Sequence, residues 1–254
     1  MNARAYVGVD VGGTGIKAAL VDVRDGKPLM ERLRVPTPQP ATPEAIAEAI
    51  TQVVHRVPGR AETRTVGIAL PAVVTDGVVR TAANIDASWI GTDAAHLLAD
   101  RVGAPVAVLN DGDAAGLAEM AFGAAQGVHG VVVLVTLGTG IGTSLLMDGR
   151  LFPNTELGHL VVDGENMCYH AAMVARDREH LTWEQWADRL QRYLRYLEDL
   201  IWPDLIVLGG GGSWNWEHFR HLLDIRTEIV PAALANRAGI VGAALAASRS
   251  RRVR

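Results

Sequence analysis

A short apolar strand, a glycine-rich turn and a second strand occur twice in this chain, at Tyr6–Asp22 and again at Val131–Met147. The first turn reads Asp10-Val11-Gly12-Gly13-Thr14-Gly15-Ile16-Lys17, the second Leu137-Gly138-Thr139-Gly140-Ile141-Gly142-Thr143. Glycines at such a turn let several backbone N–H groups converge on one point and form a nest for an anion. The first turn has neither the spacing of a P-loop nor that of the dinucleotide fingerprint. The alternative for one such turn is a plain tight hairpin, though Asp10 before it and Lys17 after it favour phosphate binding. Two of them, each between hydrophobic strands, point to two related lobes with a cleft between, each lobe carrying a phosphate-type loop. The lobe boundary is expected near Asn110–Gly112.

Further strands are expected at Val66–Leu70, Val106–Asn110 and Leu205–Leu208, short β-branched runs that suit strands buried on both faces. Helical patterns lie between them. Thr42-Pro43-Glu44 is a helix start, with a capping hydroxyl, proline at the first helical position and an acid in the first turn; Ile46, Ala49, Ile50 and Val53 follow at helical spacing. Thr182 and Gln185 have capping-box spacing, and Trp186, Leu190, Tyr193, Leu194 and Leu197 form a core-facing stripe. Strands alternating with helices make the fold class α/β. The prolines at 36, 38 and 40 mark a stiff surface loop, and the arginine-rich tail Arg249–Arg254 a frayed basic end.

Composition excludes several classes. Cys168 is the one cysteine, so no disulfide framework and no all-cysteine metal site can form within the chain. A net charge of −4 argues against a dedicated nucleic-acid binder. The longest apolar run near the end, Ala238–Ala247, falls short of the ~18 residues a membrane span needs. With no secretory signal at the N-terminus, a cytoplasmic location is expected. Only Lys17 and Lys27 among the 24 basic residues are lysines, which singles out Lys17 within the first turn.

Several residues could carry chemistry. Asp111 follows the strand Val106–Asn110, where a carboxylate in an α/β fold faces the ligand crevice and can accept a proton from a hydroxyl during phosphoryl transfer. It could equally cap the helix that follows, and Asp113 is the alternative for either role. Glu156 and His159, three apart beyond the second turn, could bond adjacent sugar hydroxyls, although a lone histidine is more often structural. Gly209–Gly212 could admit a flat ligand or serve only as a flexible loop. His218 and His221 read as a solvated helix face rather than as metal ligands. There is no GxSxG, HExxH or CxxC, so hydrolase and zinc-peptidase readings have no anchor.

In order along the chain, these features resemble the ROK sugar kinases, and within them the polyphosphate-dependent glucokinases. Thr37-Pro-Gln-Pro-Ala-Thr-Pro43, Gly77-Val-Val-Arg-Thr-Ala-Ala-Asn84, Ser88-Trp-Ile-Gly91, Pro153-Asn-Thr-Glu156, Trp202-Pro-Asp-Leu205 and Ala238-Gly-Ile-Val-Gly-Ala-Ala244 carry the likeness together with both turns. The resemblance implies an actin-like ATPase (ribonuclease H-like) fold with two lobes around a central cleft. The first lobe would be 1–111, with the first phosphate loop and the catalytic Asp111. The second would be 112–237, with the second loop and the sugar-contacting segment, and a helix at about 238–250 would pack back on the first.

It further implies that Asp111 deprotonates the 6-hydroxyl of glucose, or of mannose, and that Asn84, Asn110, Glu156 and His159 contact the sugar. Asp10, Gly12, Gly13, Thr14, Gly15 and Lys17, with Thr136, Gly138, Thr139 and Gly140, would hold the phosphates of polyphosphate or ATP. Gly209, Gly210 and Gly211 would contact adenosine, and Asp10 would place Mg2+ through water. A homodimer is expected, with no structural zinc, no nucleic acid and no membrane. Arg176, Arg178, Arg192 and Arg195 are candidates for a polyphosphate track, although a solvated helix face is the better reading of each.

One segment departs from the family pattern. Where ROK kinases carry a cysteine-rich zinc motif ending in a sugar-binding glutamate, and the polyphosphate group keeps acidic residues, this chain has Cys168 and Tyr169, with Glu165 the nearby carboxylate. Loss of a charged hydrogen bond to the sugar would cost about 1.5–3 kcal/mol. A weakened or inactive sugar-binding protein is therefore the alternative to an enzyme. A ROK transcription regulator is disfavoured, since the strand at Tyr6 leaves no room ahead of it for a helix-turn-helix.

Overall fold

The computed structural model describes residues 4–59 and 64–250, so the basic tail beyond Ser250 lies outside the described residues. The chain divides into two compact units. One runs to Ala118 and resumes at Arg237; the other is Glu119–Asn236. The first unit holds β1 (Ala5–Val11), β2 (Ile16–Asp22), β3 (Lys27–Pro28), β4 (Leu33–Val35), α1 (Pro43–His55), β5 (Val66–Leu70), β6 (Val74–Thr75), β7 (Val78–Val79), α2 (Ala94–Val102) and β8 (Val106–Asn110), and α3 (Asp111–Phe122) leads out of it. The second holds β9 (Val131–Leu137), β10 (Ile141–Met147), β11 (Arg150–Phe152), β12 (Val161–Val162), β13 (Glu165–Asn166), α4 (Met167–His170), α5 (Met173–Arg178), α6 (Trp183–Ile201), β14 (Leu205–Gly209), α7 (Trp216–Phe219) and β15 (Glu228–Pro231). Finally α8 (Ala238–Arg249) belongs to the first unit again.

The first unit is built on a sheet of order β3-β2-β1-β5-β8, with β4 also on β2. β1, β5 and β8 are parallel, so Val11, Leu70 and Asn110 all end on one edge. The helix start at Thr42 forms as expected: its hydroxyl accepts the Ala45 N–H at 3.3 Å, and α1 buries Ile46, Ile50, Val53 and Val54 beside Leu98 of α2. Helix α8 uses a different contact. Gly8 and Gly67 sit opposite one another in the β1–β5 register, and a Cβ on either would run into the backbone carbonyl of Ile240 or Ala243. Ala69, Ala114 and Ala243 complete this narrow seam, in which backbones approach because the side chains are absent or small.

The second unit has a sheet of order β11-β10-β9-β14-β15, with β9, β14 and β15 parallel. Its main helix, α6, begins with the capping box read from Thr182 and Gln185, and its stripe of Trp186, Leu190, Tyr193, Leu194 and Leu197 packs on Val133, Val135, Ile206 and Leu208. A buried carboxylate that the sequence pattern did not reveal, Glu119, accepts the N–H groups of Ala124 (2.8 Å), Ala233 (3.0 Å) and Leu234 (2.7 Å) and so ties the exit of the unit to its entrance.

All seven expected strands are present, with small shifts: the hairpin after the second turn starts at Ile141 rather than Gly142. The additional strands run from two to four residues, too short to show a period-2 pattern. The proline loop is more than a surface loop, because Thr37 within it is buried and donates to the carbonyl of Gly12 at 2.5 Å. Among the described residues no helix is long and apolar enough to cross a membrane.

Candidate active site

In the first unit the first glycine turn joins two strands whose register sets Asp10 opposite Lys17, and their side chains form an ion pair at 3.2 Å. The turn closes through the Gly12 N–H to the Gly15 carbonyl at 3.1 Å. Two groups outside it hold it from behind: Thr37 on the Gly12 carbonyl, and Arg34, which donates to the Thr14 carbonyl at 2.8 Å. A Cβ on Gly15 would meet the Arg34 guanidinium at 2.5–2.8 Å, whereas one on Gly13 would meet nothing within 4 Å. The turn is therefore packed on one side and open on the other, as a nest for an anion requires.

Asp111 leaves the same sheet edge, at the first residue of α3. Asn110 caps this helix, its Oδ1 accepting the Asp113 N–H at 3.1 Å, and Asp111 Oδ1 accepts the N–H of Gly112 at 2.8 Å. Asn110 also donates from Nδ2 to the Ala72 carbonyl at 3.2 Å and is buried, so both ends of its amide are engaged by the protein. Asn84 lies exposed on the bend before the short 3-10 helix Ala87–Trp89. Trp89 of the Ser88–Gly91 motif is core, fully buried with its indole N–H on the Ala41 carbonyl at 3.0 Å.

In the second unit the turn Gly138–Gly140 closes through the Gly138 N–H to the Gly140 carbonyl at 3.0 Å. Gly209, at the end of β14, pairs with Thr136, so the third glycine cluster emerges beside the second turn. Gly210 has a φ of +74°, and a Cβ there would sit 2.8 Å from the Leu137 nitrogen; Gly212 likewise packs on Leu137. Gly138 and Gly211 face open space. Thr139 is exposed and Thr136 half-buried. The N-terminus of α5 braces the turn, the Val174 N–H donating to the Gly138 carbonyl at 3.1 Å.

Glu156 and His159 pair at 3.7 Å, held on β10 by Thr143, which donates to the Thr155 carbonyl at 2.5 Å and accepts the Leu157 N–H at 3.0 Å. Gly158 lies directly on Ile141. The departing residues divide: Cys168 is buried and its sulfur accepts the Ile141 N–H at 3.3 Å, while Tyr169 is exposed with its ring edge-on to His159, centroids 6.3 Å apart. Burial raises the Cys168 thiol above its ordinary range, outweighing the lowering by the Ile141 N–H, and the Glu156 carboxylate adds to the rise.

The arginines singled out for a polyphosphate track each meet a carboxylate: Arg176 with Asp177 (3.1 Å), Arg178 with Glu179 (2.5 Å), Arg192 with Asp188 (3.6 Å) and Arg195 with Asp224 (3.0 Å). Glu179, also paired with Arg189 at 2.7 Å, is held down to about 2 by these guanidinium groups. His218 differs from a merely solvated residue, stacking on Trp183 at 5.2 Å. Among the described residues no cluster of three or more His, Cys, Asp or Glu could hold a metal ion. Thr37, Arg34 and Thr143 were not singled out as supports for these loops. Each acts through hydrogen bonds distant in sequence, which no local pattern encodes.

Comparison with known proteins gives a consistent set of relatives. The model of the ROK family matches residues 6–172. A polyphosphate glucokinase of Mycobacterium tuberculosis (strain CDC 1551 / Oshkosh) is 48% identical over 240 residues, 94% of this chain and 89% of the relative. The crystal structure of an inorganic polyphosphate/ATP-glucomannokinase from Arthrobacter sp. strain KM superposes with a TM-score of 0.93 at 50% identity, covering 96% of this chain and 98% of that one. A ROK family glucokinase from Streptomyces griseus in complex with glucose and AMPPNP superposes with a TM-score of 0.81 at 27% identity, covering 97% and 100%.

Proposed function

Because the chain belongs to the ROK family, with its actin-like ATPase fold, we propose that it transfers a phosphoryl group from polyphosphate or ATP to the 6-hydroxyl of glucose, giving glucose 6-phosphate. The observation that carries the reading is the edge of the first sheet, from which an anion nest with its Asp10–Lys17 pair and the carboxylate of Asp111 both emerge. The relatives' names supply the donor and the acceptor.

In this mechanism Gly12, Gly13, Thr14, Gly15 and Lys17 hold donor phosphates by backbone N–H groups, a hydroxyl and an ammonium. Thr136, Gly138, Thr139 and Gly140 do the same in the second unit, and Gly209–Gly211 take adenosine when ATP is the donor. Asp111 accepts the proton of the 6-hydroxyl as its oxygen attacks phosphorus and the bond to the leaving phosphate breaks. Asn84, Asn110, Glu156 and His159 bond the remaining sugar hydroxyls. Asn110 also caps the helix that begins at Asp111.

The donor set fits a magnesium ion that arrives with phosphate. Asp10 is a single carboxylate, and it lies against Gly239, where a Cβ would come within 2.9 Å of its Oδ1. Asp10 would hold the ion through water, and the ion would supply charge neutralisation on the phosphates. Mannose as a second acceptor and a homodimer belong to the same proposal.

A donor-by-sugar matrix tests it: polyphosphate and ATP, each with glucose and mannose, read as sugar 6-phosphate formed. Product with glucose and at least one donor is expected. No product from either donor would overturn the reading in favour of a sugar-binding protein without turnover.

A further inference from the structure

Tyr169 combines a fixed backbone with an exposed ring. Helix α4 is a single turn, Met167–His170, and it is pinned at successive positions. Asn166 Oδ1 accepts the Cys168 N–H at 3.0 Å, and the Cys168 sulfur holds Ile141. The carbonyl of Tyr169 accepts from Arg178 at 3.0 Å, and that of His170 from Arg189 at 3.2 Å. The phenol ring nevertheless remains 61% exposed, lying at 69° to the His159 ring, whose Nε2 is 3.7 Å from Glu156. A large aromatic on a pinned backbone, left open to solvent beside a polar pair, offers contact area at the cost of ordering only two side-chain torsions.

We propose that Tyr169 is a further substrate-binding residue of the acceptor site, presenting its ring to the apolar C–H face of the bound sugar. This rests on the kinase reading, in which Glu156 and His159 bond the sugar hydroxyls. The two kinds of contact are complementary: a pyranose has hydroxyls around its rim and C–H groups on its faces, and a binding site of few polar groups and an aromatic wall meets both.

The test compares the native protein with Tyr169→Ala and Tyr169→Phe. Glucose is titrated calorimetrically without donor, and Michaelis constants for glucose and donor are measured separately. Tyr169→Ala is expected to weaken glucose binding and raise its KM roughly 3- to 10-fold, with the donor KM unmoved, while Tyr169→Phe, which keeps the ring, stays within about twofold of native. Unchanged glucose binding in Tyr169→Ala overturns the inference. So does an equal rise in donor KM, or a Tyr169→Phe as weak as Tyr169→Ala, which would make the hydroxyl the contact. A native protein that binds glucose and forms no product would defeat the kinase reading alone, since the calorimetric comparison still decides the role of Tyr169.

Discussion

The backbone N–H of Ile141 donates to the sulfur of Cys168 at 3.3 Å, joining the end of the second glycine turn to the segment that departs from the family pattern. Gly140 stands against the same sulfur, where a Cβ would sit 2.8 Å from it, and Gly158, between Glu156 and His159, packs on Ile141. The thiol therefore faces the second glycine turn. Because burial raises its pKa, it adds no negative charge beside that turn.

Substitution at Cys168 should accordingly act on the donor. Cys168→Ala removes the acceptor for a buried N–H, a loss of about 1 kcal/mol, and donor KM should rise about fivefold with glucose KM little changed. Cys168→Ser retains an acceptor and should fall between. Cys168→Asp places a carboxylate by the turn and should be the weakest for polyphosphate. Steady-state constants for both substrates check the order; a larger effect on glucose than on donor would contradict it.

Lys17 and Asp10 make the second prediction. Their ion pair at 3.2 Å is part-buried, with 25% and 18% of the side chains exposed, and it holds the ammonium beside the first turn. Lys17→Met leaves the turn's backbone intact and removes a charge-assisted contact to phosphate, which should raise donor KM roughly 10- to 150-fold. The measurement is donor KM at two ionic strengths. The native enzyme should lose affinity with salt more steeply than the variant, because one cation fewer meets the polyanion.

His170 sets a pH dependence. Burial, then the Arg189 guanidinium, hold its imidazole below the ordinary value of 6.5, against a smaller opposing pull from Glu165. Folded His170 thus resists a proton that the unfolded chain takes up near pH 6.5. The stability this neutral ring contributes is complete above that pH and is lost as pH falls below it. Urea midpoints between pH 8 and pH 5 should decline less for His170→Gln than for the native protein. Equal slopes would remove His170 from the account.

Much of this was legible in the residues themselves. Thr42 and Thr182 cap their helices because a hydroxyl and its target N–H lie within one turn, and the stripe from Trp186 to Leu197 reports burial through its period. The glycine turns were readable as turns for the same local reason. What escaped was long-range. The Thr37 hydroxyl reaches Gly12 across 25 positions, and Glu119 holds Leu234 across 115. Family motifs mix both kinds of residue: in the Ser88–Gly91 motif Trp89 is core and its neighbours are exposed, whereas the Cys168–Tyr169 departure splits into one residue facing a loop and one facing solvent.

The most direct test is the rate of glucose 6-phosphate formation by Asp111→Asn against the native protein, with glucose binding followed in parallel. The carboxamide keeps the shape and the bond to the Gly112 N–H but cannot take the 6-hydroxyl proton. A fall in kcat of about 10²- to 10⁴-fold with glucose still bound is the predicted result. A variant that turns over at the native rate would contradict the assignment of Asp111 as the base on which the mechanism depends.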